Sequence, residues 1–368
     1  MVIHTSGSTG MPNPVVWTHW HLATADAQRN VPDLDGRPTI WGRVLDTSQR
    51  CYSGLPLFHG AGLATGLIGV LFNNITVVLG PPGIPSASVF GQVVDHGRID
   101  AANLLPVTLE DIASSSTILA KLERLKFVTY VGGAVSKPAG DVISQHVRLY
   151  SIMASTESGT LTQHVTDQED WQYICFNTEY NGIEWRPRGD LYELVFRKNS
   201  DYADLQGIFK TSPRSQECSM SDLYSKHPTK SHHWKHEGRT DDIIIFRSGW
   251  NFNPTIHERL ISAHGLVQHC ILIGTGRDTP AAIIELRPEF SAEPEEVRQA
   301  ILAELGSKVD EANRFTDTTG QLSKNAIIFA KNDKPFVIAG KGTVQRKATV
   351  ARYQQEIEEL YASLGKNE

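Results

Sequence analysis

Residues Phe127-Val-Thr-Tyr-Val-Gly-Gly-Ala134 form a run of strand formers that stops abruptly on two glycines and an alanine. A strand that ends in glycines lies where open parallel sheets admit a ligand, although a plain strand-to-loop turn reads equally well from the spacing alone. Outward from this stretch, Thr76 to Leu79 and Leu191 to Phe196 are further strand candidates bounded by Gly, Pro or Asn. Helical stretches separate them, and that alternation predicts an α/β sheet. The most apolar window, Leu63 to Leu79, is broken by Gly66, Gly69, Asn73 and Asn74, so it reads as a buried helix and strand and not as a membrane span.

The 368 residues are 40% hydrophobic and 21% charged, enough for two domains with a large core. A net charge of −6 without a long basic run argues against nucleic acid as the main partner, because phosphate-backbone binding needs a concentrated cationic surface. Membrane association is not expected either. The four cysteines, Cys51, Cys175, Cys218 and Cys270, are scattered with no Cys-x-x-Cys pair, and no charged-then-apolar leader precedes them; a reducing, cytoplasmic setting follows. His227, His232, His233 and His236 gather around Trp234, but no cysteine or second spaced pair completes a ligand set, so a solvated loop is expected there. His257-Glu258 opens like a zinc-protease helix, yet Ile261 stands where the second histidine would be required.

Near the start, His4-Thr-Ser-Gly-Ser-Thr-Gly10 follows a short apolar run. Glycines at 7 and 10 let backbone N–H groups turn toward one point, and Thr5, Ser6, Ser8 and Thr9 add hydroxyl donors, chemistry suited to a triphosphate. A flexible Ser/Gly loop is the plainer reading of these residues by themselves.

A change of character at Gly238-Arg-Thr-Asp-Asp242, followed by Ile243 to Phe246 and Trp250 to Phe252, predicts a small hairpin opening a second domain. Ile271 to Ile273, Ala282 to Leu286 and Asn325 to Ala330 are strand candidates beyond it. Val297, Ile301, Leu305 and Val309 make one apolar helix face, with Pro294 near its start and Ser291 before it as a candidate cap. One amphipathic helix, roughly Ala348 to Leu364, is expected to close the chain.

In order, His4 to Gly10, Pro56-Leu-Phe-His59, Gly132-Gly-Ala134, Ser155-Thr-Glu157, Ser221-Asp-Leu223, Gly238-Arg-Thr-Asp241 and Lys341-Gly-Thr-Val-Gln-Arg346 resemble the adenylate-forming superfamily. Asp190-Leu-Tyr-Glu-Leu-Val195, Ser221 to Pro228 and Lys341 to Lys347 narrow the resemblance to adenylation domains of fungal NRPS-like proteins of the adenylation–thiolation–reductase kind. The resemblance spans essentially the whole chain. It implies an acyl-CoA synthetase-like α/β large domain over 1–238, incomplete at its N-terminus, and a smaller α+β lid domain over 239–368.

The resemblance also implies a reaction. A carboxylic acid and Mg²⁺-ATP give an acyl-adenylate, and a pantetheine thiol, on a carrier domain of another chain or on CoA, takes the acyl group. Thr5, Ser6, Gly7, Ser8, Thr9 and Gly10 would hold the β- and γ-phosphates and Thr156 the α-phosphate. Glu157 would bind Mg²⁺, a hard cation that prefers oxygen ligands. Asp222 and Arg239 would bond the ribose region, and Gly132, Gly133 and Ala134 would line the adenine. His59 would position the substrate, Lys341 would bridge carboxylate and phosphate oxygens, and Asp241 would be the hinge of the small domain. Alone, Asp222 reads as a helix cap and Glu157 as a surface glutamate.

Two departures stand out. Asn13 occupies the place of a usual lysine after the phosphate loop, and Lys341 precedes Arg346 by five positions where three is usual, which leaves Lys347 and Lys334 as rival candidates. A chain opening at the phosphate loop is expected to expose strand edges and core. The alternatives to carrier loading are a stand-alone acyl- or aryl-CoA ligase, and a noncatalytic remnant that binds nucleotide weakly or serves as an interaction module.

Overall fold

The computed structural model of the protein describes residues 1–5, 13–82, 85–339 and 343–364. The described residues form two compact units, one of Met1–Thr5 with Asn13–His236 and one running on from Glu237. The first begins with a hairpin of β1 (Val2–Thr5) and β2 (Asn13–Val16), which pairs Thr5 with Asn13.

Five parallel strands follow: β3 (Arg50–Ser53), β4 (Thr76–Leu79), β5 (Ala101–Leu104), β6 (Phe127–Val131) and β7 (Arg148–Ile152), in the spatial order β4-β3-β5-β6-β7. Every residue of β6 is buried, which a sheet covered on both faces requires. Because side chains alternate along a strand, Tyr52, Ala102, Val128 and Tyr130 pack on one face under helices Ala87–His96, Pro106–Ala113 and Lys137–Ser144. Cys51, Ala101, Phe127, Val131 and Ile152 pack on the other face with Ile40, Trp41 and Ile68.

A short hairpin, β8 (Ala154–Ser155) with β9 (Gly159–Thr160), follows β7. The chain then builds a six-stranded sheet from β10 (Gln163–His164), β11 (Ile174–Phe176), β12 (Ile183–Arg188), β13 (Leu191–Arg197), β14 (Glu217–Lys226) and β15 (His233–Arg239), ordered β10-β11-β15-β14-β13-β12.

That sheet corrects the reading of the histidine-rich stretch as a solvated loop. His233 and Trp234 lie buried on β15 between β11 and β14, and the Trp234 ring stacks on Trp185 at 3.7 Å. The window Leu63 to Leu79 is a helical run, including Gly69–Asn73, and then β4, but Val70, Leu71 and Leu79 are exposed. Exposed Leu57, Phe58, Val2 and Val16 extend the apolar surface of this unit.

In the second unit, β16 (Ile244–Ile245) and β17 (Asn251–Phe252) form the expected hairpin. β18 (Val267–Ile273), β19 (Ala281–Leu286) and β20 (Ile327–Phe329) make a three-stranded sheet. Helices Thr255–Ser262 and Glu295–Asn313 contribute Ile261, Ile301, Leu305 and Val309 to its core, whereas Val297, in the first turn of the longer helix, is exposed. Ser291 does not cap that helix: its hydroxyl accepts from the Glu293 N–H, and Pro294 is the boundary residue. The closing helix is two, Arg346–Arg352 and Gln354–Leu364, interrupted at the fully buried Tyr353, whose hydroxyl donates to the Lys334 carbonyl. Among the described residues no helix is long and apolar enough to cross a membrane.

Asp100 ties the start of β3 to the segment that enters β5. Its carboxylate accepts from the N–H groups of Gln49 and Arg50 at 3.0–3.1 Å, from Ser48 Oγ at 2.7 Å, and pairs with Lys126 at 2.9 Å. Burial pushes this carboxyl up, but the donors together outweigh burial and hold it at about 2 against an ordinary 3.8. A depressed carboxyl stabilises the fold above its unfolded pKa and loses that contribution as pH falls through the folded one. Asp100→Asn is therefore expected to unfold at lower denaturant than the parent at pH 7, the gap closing as pH falls from about 4 to about 2. A gap that stays constant over that window would refute the assignment.

Candidate active site

The C-terminal edge of the parallel sheet assembles most of the candidate residues of the first unit. β6 and β7 are neighbours, with Val131 opposite Ile152, so the segments leaving them, Gly132–Ala134 and Ala154–Glu157, start side by side. Gly132 has φ +96°, a conformation that L side chains rarely adopt, and Gly132, Gly133 and Ala134 are exposed. Glu110 fixes the far end of this loop: its two carboxylate oxygens accept from the Ser136 N–H at 2.6 Å and the Ser136 hydroxyl at 2.8 Å. An exposed platform of small residues results.

Thr156 and Glu157 sit at the tip of the β8–β9 hairpin, a turn held from several sides. Ser155 and Ser158 bond each other through their hydroxyls at 2.9 Å, and the Ser158 N–H donates to Ser155 Oγ at 2.9 Å. The Thr156 carbonyl accepts from Trp17 Nε1 at 2.7 Å and the Glu157 carbonyl from Thr211 Oγ1 at 2.7 Å. A Cβ on Gly207 would lie 2.2 Å from the Ser158 carbonyl oxygen, and one on Gly159 2.8 Å from His21 Nε2, so the turn is also packed tightly from below. With the backbone pinned, the half-buried Glu157 carboxylate has no hydrogen bond or ion pair among the described residues. It is an available anionic ligand for a hard cation.

His59 precedes helix Gly60–Leu63, accepting the Ala61 N–H on Nδ1 at 3.2 Å. That helix packs against β8, which brings His59 to the same side of the molecule as the Thr156 turn. Trp17 joins these pieces. A Cβ on Gly60 would meet its ring at 3.4 Å and Ile3 of β1 at 3.6 Å, its ring lies 4.7 Å from that of His21, and its N–H holds Thr156.

No sequence pattern marks Trp17, a single aromatic residue between Val16 and Thr18. Trp17→Phe keeps the ring and leaves the Thr156 carbonyl without this partner, which is expected to cost about 1–2 kcal/mol of stability. Equilibrium unfolding measures it, and no change would remove Trp17 from this role.

Asp222 is on β14, not at a helix cap; it is 6% exposed, with Oδ1 3.1 Å from His236 Nε2 on β15. Thr5 ends β1. In the second unit Arg239 pairs with Asp241 at 3.0 Å. Ser6, Gly7, Ser8, Thr9, Gly10 and Lys341 lie outside the described residues. Of the rival lysines, Lys334 is engaged by both Glu356 oxygens at 2.6 and 2.8 Å, and Lys347 is exposed at the start of helix Arg346–Arg352.

The histidines do not converge: His227 faces Asp170, His233 the Ser231 carbonyl and His236 Asp222. The acidic trio Asp167, Glu169 and Asp170 already surrounds the Lys230 ammonium.

Residues 1–176 match the AMP-binding enzyme family and residues 241–365 the AMP-binding enzyme C-terminal domain. The chain belongs to the AMP-binding, adenylate-forming family. It is 34% identical to a carboxylic acid reductase of Neurospora crassa over 98% of its own length and 35% of that protein's. It is 31% identical to the isocyanide synthase-NRPS hybrid crmA of Aspergillus fumigatus, over 98% of this chain and 22% of that one. The chain thus spans about a third or less of these curated relatives. Among solved structures, the A domain of the Segniliparus rugosus carboxylic acid reductase, in complex with AMP and a co-purified carboxylic acid, aligns with a TM-score of 0.65 at 17% identity, over 99% of this chain and 61% of that one. McyG A-PCP, complexed with phenylalanyl-adenylate, aligns with a TM-score of 0.67 at 15% identity, over 99% and 69%. The fold is therefore that of an adenylation domain: a large α/β unit followed by a smaller one.

Proposed function

We propose that this chain activates a carboxylic acid as its acyl-adenylate, the first step of an NRPS-like adenylation reaction, and that a pantetheine thiol on a carrier domain or on CoA then takes the acyl group. The observation that carries this reading is the pinned Thr156–Glu157 turn beside the open Gly132–Ala134 platform, at the edge where parallel sheets take ligands. Adenine would lie on that platform, the ribose against Asp222 and Arg239, and the triphosphate on the loop from Thr5 to Gly10. Glu157 would hold Mg²⁺, which supplies charge neutralisation between phosphate oxygens. Thr156 donates toward the α-phosphate, His59 orients the acid, and Lys341 is the cation that bridges the two reactants. Asp241 is the hinge, and the boundary between the large and small domains falls near residue 238 of the chain. The four cysteines are all free, in keeping with a cytoplasmic setting.

ATP–pyrophosphate exchange with a pool of aryl, amino and aliphatic acids tests the proposal. Acid-dependent exchange is the expected result. Its absence in folded protein that still binds ATP would favour a noncatalytic nucleotide-binding role, the reading to which Asn13, a neutral amide opposite Thr5, lends support.

A further inference from the structure

Beneath the Thr156–Glu157 turn lies the buried imidazole of His21, the third residue of helix His19–Ala27. Its backbone is fixed from both sides: the N–H donates to Thr18 Oγ1 at 3.2 Å, and the carbonyl accepts from Thr24 Oγ1 at 2.7 Å. The ring is thereby held where several elements meet. It lies 4.7 Å from the Trp17 ring, its Nδ1 is 3.1 Å from the Gly207 carbonyl oxygen, and Nε2 faces Gly159 so closely that a Cβ there would be 2.8 Å away. Gly159, at φ +68°, closes the loop of Thr156, Glu157 and Ser158 between β8 and β9.

The tautomer of His21 follows from its partner. A carbonyl oxygen only accepts, so Nδ1 carries the proton, and Nε2, buried and without a hydrogen-bond partner among the described residues, keeps its lone pair. Burial pushes the imidazole below its ordinary 6.5 and favours this neutral form. The Gly207 carbonyl also accepts from the Lys210 N–H at 2.9 Å, in the first turn of helix Ile208–Thr211. Thr211 ends that helix, and its hydroxyl donates to the Glu157 carbonyl at 2.7 Å. Gly207 itself abuts the turn, since a Cβ on it would lie 2.2 Å from the Ser158 carbonyl oxygen. A continuous path of hydrogen bonds and close contacts therefore runs from His21 through Gly207 and Thr211 to the backbone of Glu157.

We propose that His21 is a positioning residue for Glu157: its Nδ1–H fixes Gly207 and, through Thr211, the backbone from which the Glu157 carboxylate reaches the cation of Mg²⁺-ATP. The inference rests on the adenylation reading for the role of Glu157. A carboxylate at the tip of a short loop binds a cation well only when the loop is already held in place, and losing a group that orients a metal ligand costs about 10–100-fold in metal affinity.

The test compares the parent with His21→Asn, His21→Leu, Thr211→Val and the double variant His21→Leu with Thr211→Val. Asn and Leu have nearly the same shape, but only Asn presents an N–H near the place of Nδ1. Calorimetry without acid measures the affinity for Mg²⁺-ATP, ATP–pyrophosphate exchange gives the half-saturating Mg²⁺ concentration and the KM of whichever pool acid exchanges fastest, and denaturant unfolding measures stability. His21→Leu is expected to weaken Mg²⁺-ATP binding and raise the half-saturating Mg²⁺ by about tenfold or more, with His21→Asn within about threefold of the parent and the KM of the acid unchanged. Thr211→Val should reproduce the loss, and the double variant should be no worse than the larger single loss, because both substitutions cut one path. Should His21→Leu fail to fold, Thr211→Val carries the test, and an affinity for Mg²⁺-ATP equal to the parent's would then overturn the proposal. Equal losses in His21→Asn and His21→Leu, a parent-like Mg²⁺ dependence in His21→Leu, or losses that multiply in the double variant would overturn it as well and leave His21 as packing. A parent that binds Mg²⁺-ATP but exchanges with no acid would defeat the adenylation reading, while weakened binding in His21→Leu with retained binding in His21→Asn would still sustain the role of His21. A parent that neither exchanges nor binds Mg²⁺-ATP would defeat both.

Discussion

Glu157→Gln is expected to lower acid-dependent ATP–pyrophosphate exchange by about 10²–10³-fold, while unfolding stability stays within about 0.5 kcal/mol of the parent. The two halves of this expectation come from different features of one turn. Activity falls because a carboxylate that faces no other partner among the described residues is the anionic ligand offered to Mg²⁺, and an amide binds a hard cation far less strongly. Stability holds because the turn is fixed through its backbone, by Trp17 at the Thr156 carbonyl and Thr211 at the Glu157 carbonyl, and through the Ser155–Ser158 pair. Glutamine disturbs none of these. Exchange measured against Mg²⁺ concentration should show the variant's residual rate rising at higher metal, as expected for weakened binding. Unchanged exchange would remove Glu157 from the metal role, and a parallel loss of stability would show that its charge supports the fold instead.

The same turn shows what the sequence makes legible. Ser155-Thr-Glu157 stands out through its residue types, and β6 through an apolar run ended by glycines, because both signals are local. Trp17, Thr211, Gly207 and His21, which hold the turn, are far from it in the chain; their importance is made by long-range contacts that no spacing encodes. His233 and Trp234 were misleading for the opposite reason. Polar neighbours at 231–236 resemble a loop, but a strand inside an antiparallel sheet needs only alternate residues to face the core, and the Trp185–Trp234 stack supplies that burial. The closing helix reads as continuous because its apolar periodicity continues through Tyr353. The break falls at Tyr353, which is fully buried and donates its hydroxyl to the Lys334 carbonyl, a tertiary contact that the local pattern does not encode.

Arg346→Met is expected to destabilise the second unit by about 2–4 kcal/mol, from the loss of a cation that several mostly buried groups share. Nε of Arg346 donates to Asp242 at 3.1 Å, Nη2 to both Glu258 oxygens at 2.6 Å, and Nη1 to the Leu272 carbonyl at 2.7 Å. Glu258 also accepts from the Leu272 N–H at 2.6 Å, so the guanidinium joins the Thr240–Asp242 turn, helix Thr255–Ser262 and β18 to the first turn of helix Arg346–Arg352. The Arg346 and Glu258 side chains are only 21% and 16% exposed, which separates this pair from the solvent-screened bridges elsewhere on the surface. Removing the cation leaves two carboxylates facing one another in a partly dry site. Arg346→Lys should fall between parent and Met variant, since it keeps the charge but cannot present the planar fork that grips both Glu258 oxygens. Arg346→Met combined with Glu258→Leu should recover part of the loss, because the stranded charge goes with its partner. Denaturant unfolding of the four proteins separates the terms, and a single Met variant as stable as the parent would mean that the network carries no net stabilisation.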